Sequence, residues 1–209
     1  MIKIENLSFQ YKNESTIFKF PNIDLKAKEH LLVLGKSGVG KTTFLHLLAG
    51  LLSPKTGHIL INKVAVNKLT QRKLDAFRGE NIGFVFQKNL AIKSLNVIDN
   101  LKARLFFSRT SISDTKIDAL FTQLDLIEYK KSKINQLSEG QLQRLGILLA
   151  VVHNPQVILA DEPTSSLDNE NCKLVIELLK HQAEQTNANL IVITHDQRVK
   201  SLFSNTITL

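Results

Sequence analysis

The run Gly35-Lys36-Ser37-Gly38-Val39-Gly40-Lys41-Thr42-Thr43 has the spacing G-x-x-x-x-G-K-[ST] of a phosphate-cradling P-loop, the Walker A motif. Three of the nine glycines of the chain fall within its first six residues. Without Cβ atoms they let the backbone close around an anion, with the N–H groups of residues 37–42 turned inward. A helix starting at Lys41 adds the positive end of its dipole. Lys41 is placed to reach β- and γ-phosphates, the Thr42 hydroxyl suits Mg²⁺, and Thr43 supplies a further phosphate contact. The plain alternative is a flexible glycine turn, but by average composition four specified positions match by chance in roughly 1% of chains of this length.

A second group follows an apolar run. Val157-Ile158-Leu159-Ala160 leads into Asp161-Glu162. Two carboxylates closing a buried strand are costly without partners, and a Mg²⁺ at the P-loop supplies one. Asp161 suits the Walker B role of holding that ion through water. Glu162 points the other way and suits the general base that polarises the attacking water. The alternative is an ordinary strand ending in a solvated acidic turn.

These residues need elements to hold them. Residues 2–7 alternate apolar and polar, as a strand does, and 16–20 and 22–25 read as further strands. Residues 31–34 and 157–160 are continuous apolar runs of strands buried on both faces. Phe44, Leu47, Leu48 and Leu51 recur at helical spacing, so 41–52 reads as a helix. Residues 59–61, 82–86 and 190–194 read as strands, and 205–209 as an edge strand. Residues 96–107, 114–124, 139–153 and 169–185 read as helices. Strands alternating with helices imply a mainly parallel sheet. The helical stretch 96–153 reads as an inserted subdomain, and the opening strands as an antiparallel layer beside the sheet.

Composition narrows the class. The chain has 209 residues, 43% hydrophobic and 22% charged, which is globular and not disordered. One cysteine, Cys172, excludes an internal disulfide and predicts a reducing compartment. No apolar run approaches the ~20 residues of a membrane-spanning helix, and the start MIKIENLSF has no secretory apolar core. The net charge of +8 is scattered, and 6% aromatics do not make a stacking groove for single strands. Nucleic acid is therefore not the expected partner.

Five further motifs complete a pattern. Leu137-Ser138-Glu139-Gly140-Gln141 resembles the LSGGQ signature of the ATP-binding cassette (ABC) ATPases. Gln87 resembles their Q-loop glutamine, Ser166-Leu167-Asp168 their D-loop, His195 their switch histidine, and Tyr11 the aromatic that stacks on adenine. With the two phosphate motifs these run in family order from Tyr11 to His195. Residues 78–87 and 95–100 resemble the lipoprotein-releasing, macrolide-export and cell-division branch.

The resemblance implies an α/β P-loop NTPase fold of RecA-like type. Its nucleotide-binding core is residues 1–95 and 154–209, and its helical subdomain is 96–153. It implies hydrolysis of ATP with Mg²⁺ by Glu162, His195 and Lys41. Nucleotide contacts fall to Tyr11, residues 35–43, Gln87, Ser138, Gly140 and Gln141, and metal contacts to Thr42, Gln87 and Asp161. It also implies a dimer with a second copy of the chain, in which the signature meets the γ-phosphate held by the opposite subunit. A separate transmembrane subunit follows, holding the protein at the inner face of the cell membrane. Leu90, Ile92, Leu95 and Leu101 are the apolar candidates for docking it.

Single residues have simpler readings. Ser138-x-x-Gln141 is also a capping box, and Asp168 suits a helix cap. Glu139 departs from the usual glycine and brings a carboxylate toward the phosphate. Two rival functions differ in class: a soluble cassette ATPase acting on nucleic acid or ribosomes, and a P-loop kinase. A single Walker A motif argues against tandem cassettes, and a kinase has no use for the signature helix.

Overall fold

The computed structural model describes every residue of the chain except Asn89 and Ser166. The chain begins with β1 (Ile2–Phe9), β2 (Phe18–Lys19), β3 (Ile23–Leu25) and β4 (His30–Leu34), then α1 (Lys41–Leu48), β5 (Thr56–Ile61) and β6 (Val64–Ala65). Next come α2 (Gln71–Asn81), β7 (Ile82–Val85), α3 (Val97–Ser108), α4 (Asp114–Gln123) and α5 (Glu139–Val151). It closes with β8 (Val157–Asp161), α6 (Asn169–Gln185), β9 (Asn189–Thr194) and β10 (Thr206–Thr208).

Two sheets form. In the antiparallel one, β1 pairs with β2 and β3 along one side and with β5 along the other, and β6 extends beyond β5. The second is parallel throughout, in the order β10-β4-β9-β8-β7. Its strands β8 and β9 are buried along their whole length, which is why their sequences are apolar without alternation. The register sets Leu34 against Thr194, Asp161 against Ile193, and Val85 against Ala160. The carboxyl ends of β4, β7, β8 and β9 therefore lie along one edge, where open α/β sheets bind ligands.

One buried cluster places α1 between the sheets: Phe44, Leu45 and Leu48 meet Ile4 and Ile59 from one and Leu159 and Ile191 from the other. The second cluster covers the opposite face of the parallel sheet with α3 to α6. There Leu145, Ile147 and Leu148 of α5 share a core with Val85, Ile158 and Leu190.

Two departures from expectation have local causes. Helix α1 ends at Leu48, not at residue 52, because Gly50 takes φ 63° and Leu51 N turns back to His46 O at 2.8 Å. Glycine holds that left-handed φ without strain, and a Cβ there would lie 2.6 Å from Leu74 Cδ1, so the Leu74 side chain would have to move. The second is α2, in a stretch with no expected element. None of its residues is buried, and Leu74 and Phe77 only lean on the core. No helix of the described residues is long and apolar enough to cross a membrane.

Candidate active site

The cradle is the link between the end of β4 and the start of α1. Gly38 and Gly40 hold φ 84° and 99°, a left-handed backbone that other residues resist. At Gly40 a Cβ would strike the Phe18 ring at 2.6 Å. Gly40 caps α1 without a side-chain hydrogen bond, leaving the first-turn N–H groups for a ligand. Lys36, Ser37 and Gly38 are exposed, Val39 is half-buried, and Lys41 is buried. The Lys41 ammonium folds back into the loop, donating to Gly35 O at 2.9 Å and Lys36 O at 3.1 Å.

The acid pair meets the first turn of α1 residue for residue. Thr42 Oγ1 donates to Asp161 Oδ1 at 3.4 Å, and Lys41 Nζ lies 3.3 Å from Glu162 Oε1. Asp161 ends β8, and Glu162 leaves it through φ 47°. That left-handed turn lets consecutive carboxylates face different partners, at a cost in backbone strain. Burial raises the Asp161 carboxyl above its ordinary range; Thr42's hydrogen bond only partly offsets this. At Glu162 burial also pushes upward. The hydrogen bonds from His195 and Thr194 and the Lys41 charge outweigh it, so the net shift is downward and the carboxylate stays ionised.

His195, the first residue beyond β9, stands over the pair. Its backbone N donates to Glu162 Oε2 at 3.2 Å, and its ring Nδ1 lies 3.0 Å from the same oxygen. A carboxylate only accepts, so Nδ1 carries the proton in this pairing. Thr194 Oγ1 donates to that oxygen at 2.8 Å from a fully buried position. Thr194 was not among the residues expected from sequence, since a lone threonine closing a strand carries no signal of its own.

Tyr11 reaches the cradle. Its hydroxyl is 2.8 Å from Thr43 Oγ1, and its ring stands edge-on to Phe9 and Phe18. Thr43 is thus buried and bonded to Tyr11 here. Gln87 is exposed two residues past β7, on the edge that carries Asp161.

The signature residues make a separate group. Ser138 caps α5: its hydroxyl accepts from Gln141 N at 3.3 Å, and its N donates to Gln141 Oε1 at 2.8 Å. Ser138, Glu139 and Gly140 are exposed, and nothing lies within 4 Å of a Cβ built on Gly140. Among the described residues no hydrogen bond or ion pair joins Ser138, Gly140 or Gln141 to the cradle. Ser166 lies outside the described residues; Asp168 caps α6 by accepting from Asn171 N at 2.9 Å. Of the docking candidates, Leu90 and Ile92 are 66% and 46% exposed, whereas Leu101 is fully buried. Leu101 faces the core from α3 and is removed from that set.

Known proteins resemble this chain. A family model described as ABC transporter matches residues 18–165. The lipoprotein-releasing system ATP-binding protein LolD of Buchnera aphidicola is 34% identical over 201 residues, covering 94% of this chain and 88% of the relative. An uncharacterized ABC transporter ATP-binding protein of Methanocaldococcus jannaschii, MJ0796, is 35% identical over 208 residues, covering 95% of this chain and 88% of the relative. A dimeric structure of MJ0796 in a post-hydrolysis state bound to ADP and Pi matches with a TM-score of 0.88 at 32% identity, covering 100% of this chain and 94% of that one. The likeness runs the length of the chain and through every element that holds the cradle and its acids, and the chain belongs to the ABC transporter family as an ATP-binding, ATP-hydrolysing subunit.

Proposed function

We propose that two copies of the chain close over two ATP molecules, hydrolyse them, and pass the closing and opening to a separate membrane subunit. The observation that carries this reading is the meeting of Lys41, Glu162 and His195 at one point from three distant stretches of sequence. Before nucleotide arrives, Lys41 neutralises Glu162. The β- and γ-phosphates offer Lys41 a stronger partner in the cradle, which frees Glu162 to accept a proton from water. That water's oxygen attacks the γ-phosphorus, the bond to the β-phosphate oxygen breaks, and ADP leaves. His195 and Thr194 hold the carboxylate in line, and Tyr11 offers its ring to adenine.

Mg²⁺ fits this site. Its donors here are hard oxygens, the Thr42 hydroxyl and the Asp161 carboxylate, 3.4 Å apart. Among the described residues no group of three or more His, Cys, Asp or Glu forms a metal cage. Such a sparse set suits an ion that keeps waters and takes phosphate oxygens, with Gln87 as a further contact. When bound it supplies charge stabilisation to the transferring phosphoryl group.

Ser138, Gly140 and Gln141 present a capped helix N-terminus outward, which suits the γ-phosphate of a second copy's ATP. Residues 1–95 and 154–209 act as the nucleotide-binding core and 96–153 as the helical subdomain that relays the motion. Leu90 and Ile92 offer apolar surface to the membrane partner. Similarity to LolD favours the lipoprotein-releasing branch. Sedimentation of the Glu162→Gln protein tests the dimer: association with ATP and Mg²⁺ but not with ADP is expected, and a monomer under both conditions contradicts it.

A further inference from the structure

Arg198, three residues past His195, bonds two separate segments with one guanidinium. On one side Nε lies 2.9 and 3.0 Å from Asp196 Oδ1 and Oδ2, and Nη2 lies 2.7 Å from Oδ2. On the other side Nη1 donates to Asn169 Oδ1 at 2.7 Å and Nη2 to Leu167 O at 3.2 Å. Leu167 and Asn169 flank Asp168, the residue that caps α6. The planar five-donor fork of arginine can serve both sides at once, which a lysine ammonium cannot.

Asp196 carries the connection inward. Its Oδ2 also accepts from Thr164 Oγ1 at 3.3 Å and from Cys172 Sγ at 3.5 Å. Its backbone N donates to Thr194 Oγ1 at 3.0 Å, and Thr194 Oγ1 in turn donates to Glu162 Oε2 at 2.8 Å. A continuous path of hydrogen bonds thus runs from Leu167 through Arg198, Asp196 and Thr194 to Glu162. Thr194 is fully buried, so neither of its bonds can be replaced by bulk water.

We propose that Arg198 is a positioning residue for ATP hydrolysis: it clamps the segment around Asp168 to the turn that holds His195 and, through Asp196 and Thr194, fixes the orientation of the Glu162 carboxylate. This rests on Glu162 acting on water as described above. Among the described residues no hydrogen bond or ion pair joins Arg198 to the cradle or to Glu162, so it acts through Asp196 and Thr194. Its loss lets the turn shift, and a shift of about 1 Å at a reacting group can cost up to about a hundredfold in rate. Nucleotide binding depends on the cradle at the other side of Glu162 and is left in place.

Steady-state phosphate release over a range of ATP·Mg²⁺ tests the clamp. Arg198→Ala is expected to lower kcat about tenfold with KM within about twofold. Its melting temperature is expected to fall by no more than about 8 °C, since Arg198 is exposed and Asp196, only 10% exposed, keeps Thr164 and Cys172 as donors. Thr194→Val is expected to lower kcat as well, and Thr194→Ser to recover it by restoring the hydroxyl. In the double variant Arg198→Ala/Thr194→Val the loss should be smaller than the product of the single losses, because one path is being cut twice. The proposal is overturned by a wild-type kcat in Arg198→Ala, by losses that multiply in the double variant, or by Thr194→Ser as slow as Thr194→Val. If Arg198→Ala fails to fold, Arg198→Lys keeps charge on Asp196 but cannot span both segments; a wild-type kcat there overturns the clamp equally. A wild-type protein that releases no phosphate, or a Glu162→Gln protein as fast as wild type, contradicts the underlying reading and not the clamp.

Discussion

Lys41 and Glu162 meet with Nζ and Oε1 3.3 Å apart, and their side chains are only 6% and 10% exposed. A pair this enclosed stabilises little beyond its own desolvation, but removing one partner strands the other. In the proposed mechanism ATP binding is an exchange of partners for the lysine.

Lys41→Ala should therefore weaken ATP binding and turnover together. Losing one preorganised donor to the phosphates is worth about 3 kcal/mol, or about a hundredfold in rate. Calorimetric titration with ATP and a phosphate-release assay check this. Unchanged affinity and rate would remove the cradle from the account.

Acid sensitivity should arise at His153, far from the catalytic edge. The imidazole Nε2 lies 2.8 Å from Arg104 Nη2 and 3.2 Å from Ile82 O; facing the nearer guanidinium, which only donates, Nε2 accepts and the ring is neutral. Burial, then the Arg104 charge, lowers its pKa to about 3. The unfolded ring titrates near its ordinary value of 6.5, so between those values the unfolded chain binds a proton that the folded one refuses. The contribution is flat above the upper value and falls on acidification by about 1.4 kcal/mol per pH unit. His153→Gln keeps an acceptor for Arg104 and removes the titration. Urea unfolding at a series of pH values should show the variant losing less stability than the wild type below about pH 6; parallel losses would mean the folded ring protonates freely.

Leu90 and Leu101 should separate surface from core. Leu90→Asp changes an exposed side chain and should alter stability by no more than about 0.5 kcal/mol, while Leu101→Asp buries an unpaired charge and should cost more than about 4 kcal/mol. Co-purification with the membrane subunit then reads Leu90→Asp for docking: reduced capture is expected, and wild-type stoichiometry places the docking face elsewhere.

The sequence was most readable where burial is two-sided or chemistry is local. Strands β4 and β8 announce themselves by unbroken apolar runs, and the P-loop by spacing alone. Helix α2 was invisible because its stability comes from Leu74 and Phe77 leaning on other elements, not from an apolar face of its own. Leu101 looked like a docking residue because helical spacing does not say which neighbour covers a side chain. Thr194 and Arg198 escaped for a similar reason: their roles lie in hydrogen bonds to residues about 30 positions away, near Glu162 and Asn169.

Glu139 should weaken the ATP dimer. It is exposed in the first turn of α5 between Ser138 and Gly140, the residues proposed to face a second copy's γ-phosphate. Like charges about 8 Å apart at an effective dielectric near 20 repel by about 2 kcal/mol, and less once salt screens an exposed group. In a Glu162→Gln background, Glu139→Gly should tighten the ATP-bound dimer, most clearly at low salt. A dimer constant unchanged across salt would leave Glu139 as a first-turn acid serving only the helix dipole.

In the proposed mechanism Glu162 takes the proton from the attacking water while Lys41, Thr42 and Asp161 hold ATP. Glu162→Gln is nearly the same shape but is a far weaker proton acceptor. Measured on one preparation, ATP binding by the variant should be at least as tight as in the wild type, because Lys41 no longer has to leave the Glu162 carboxylate, while phosphate release falls by about a hundredfold or more. Phosphate release at the wild-type rate, with ATP bound equally well, would contradict the account.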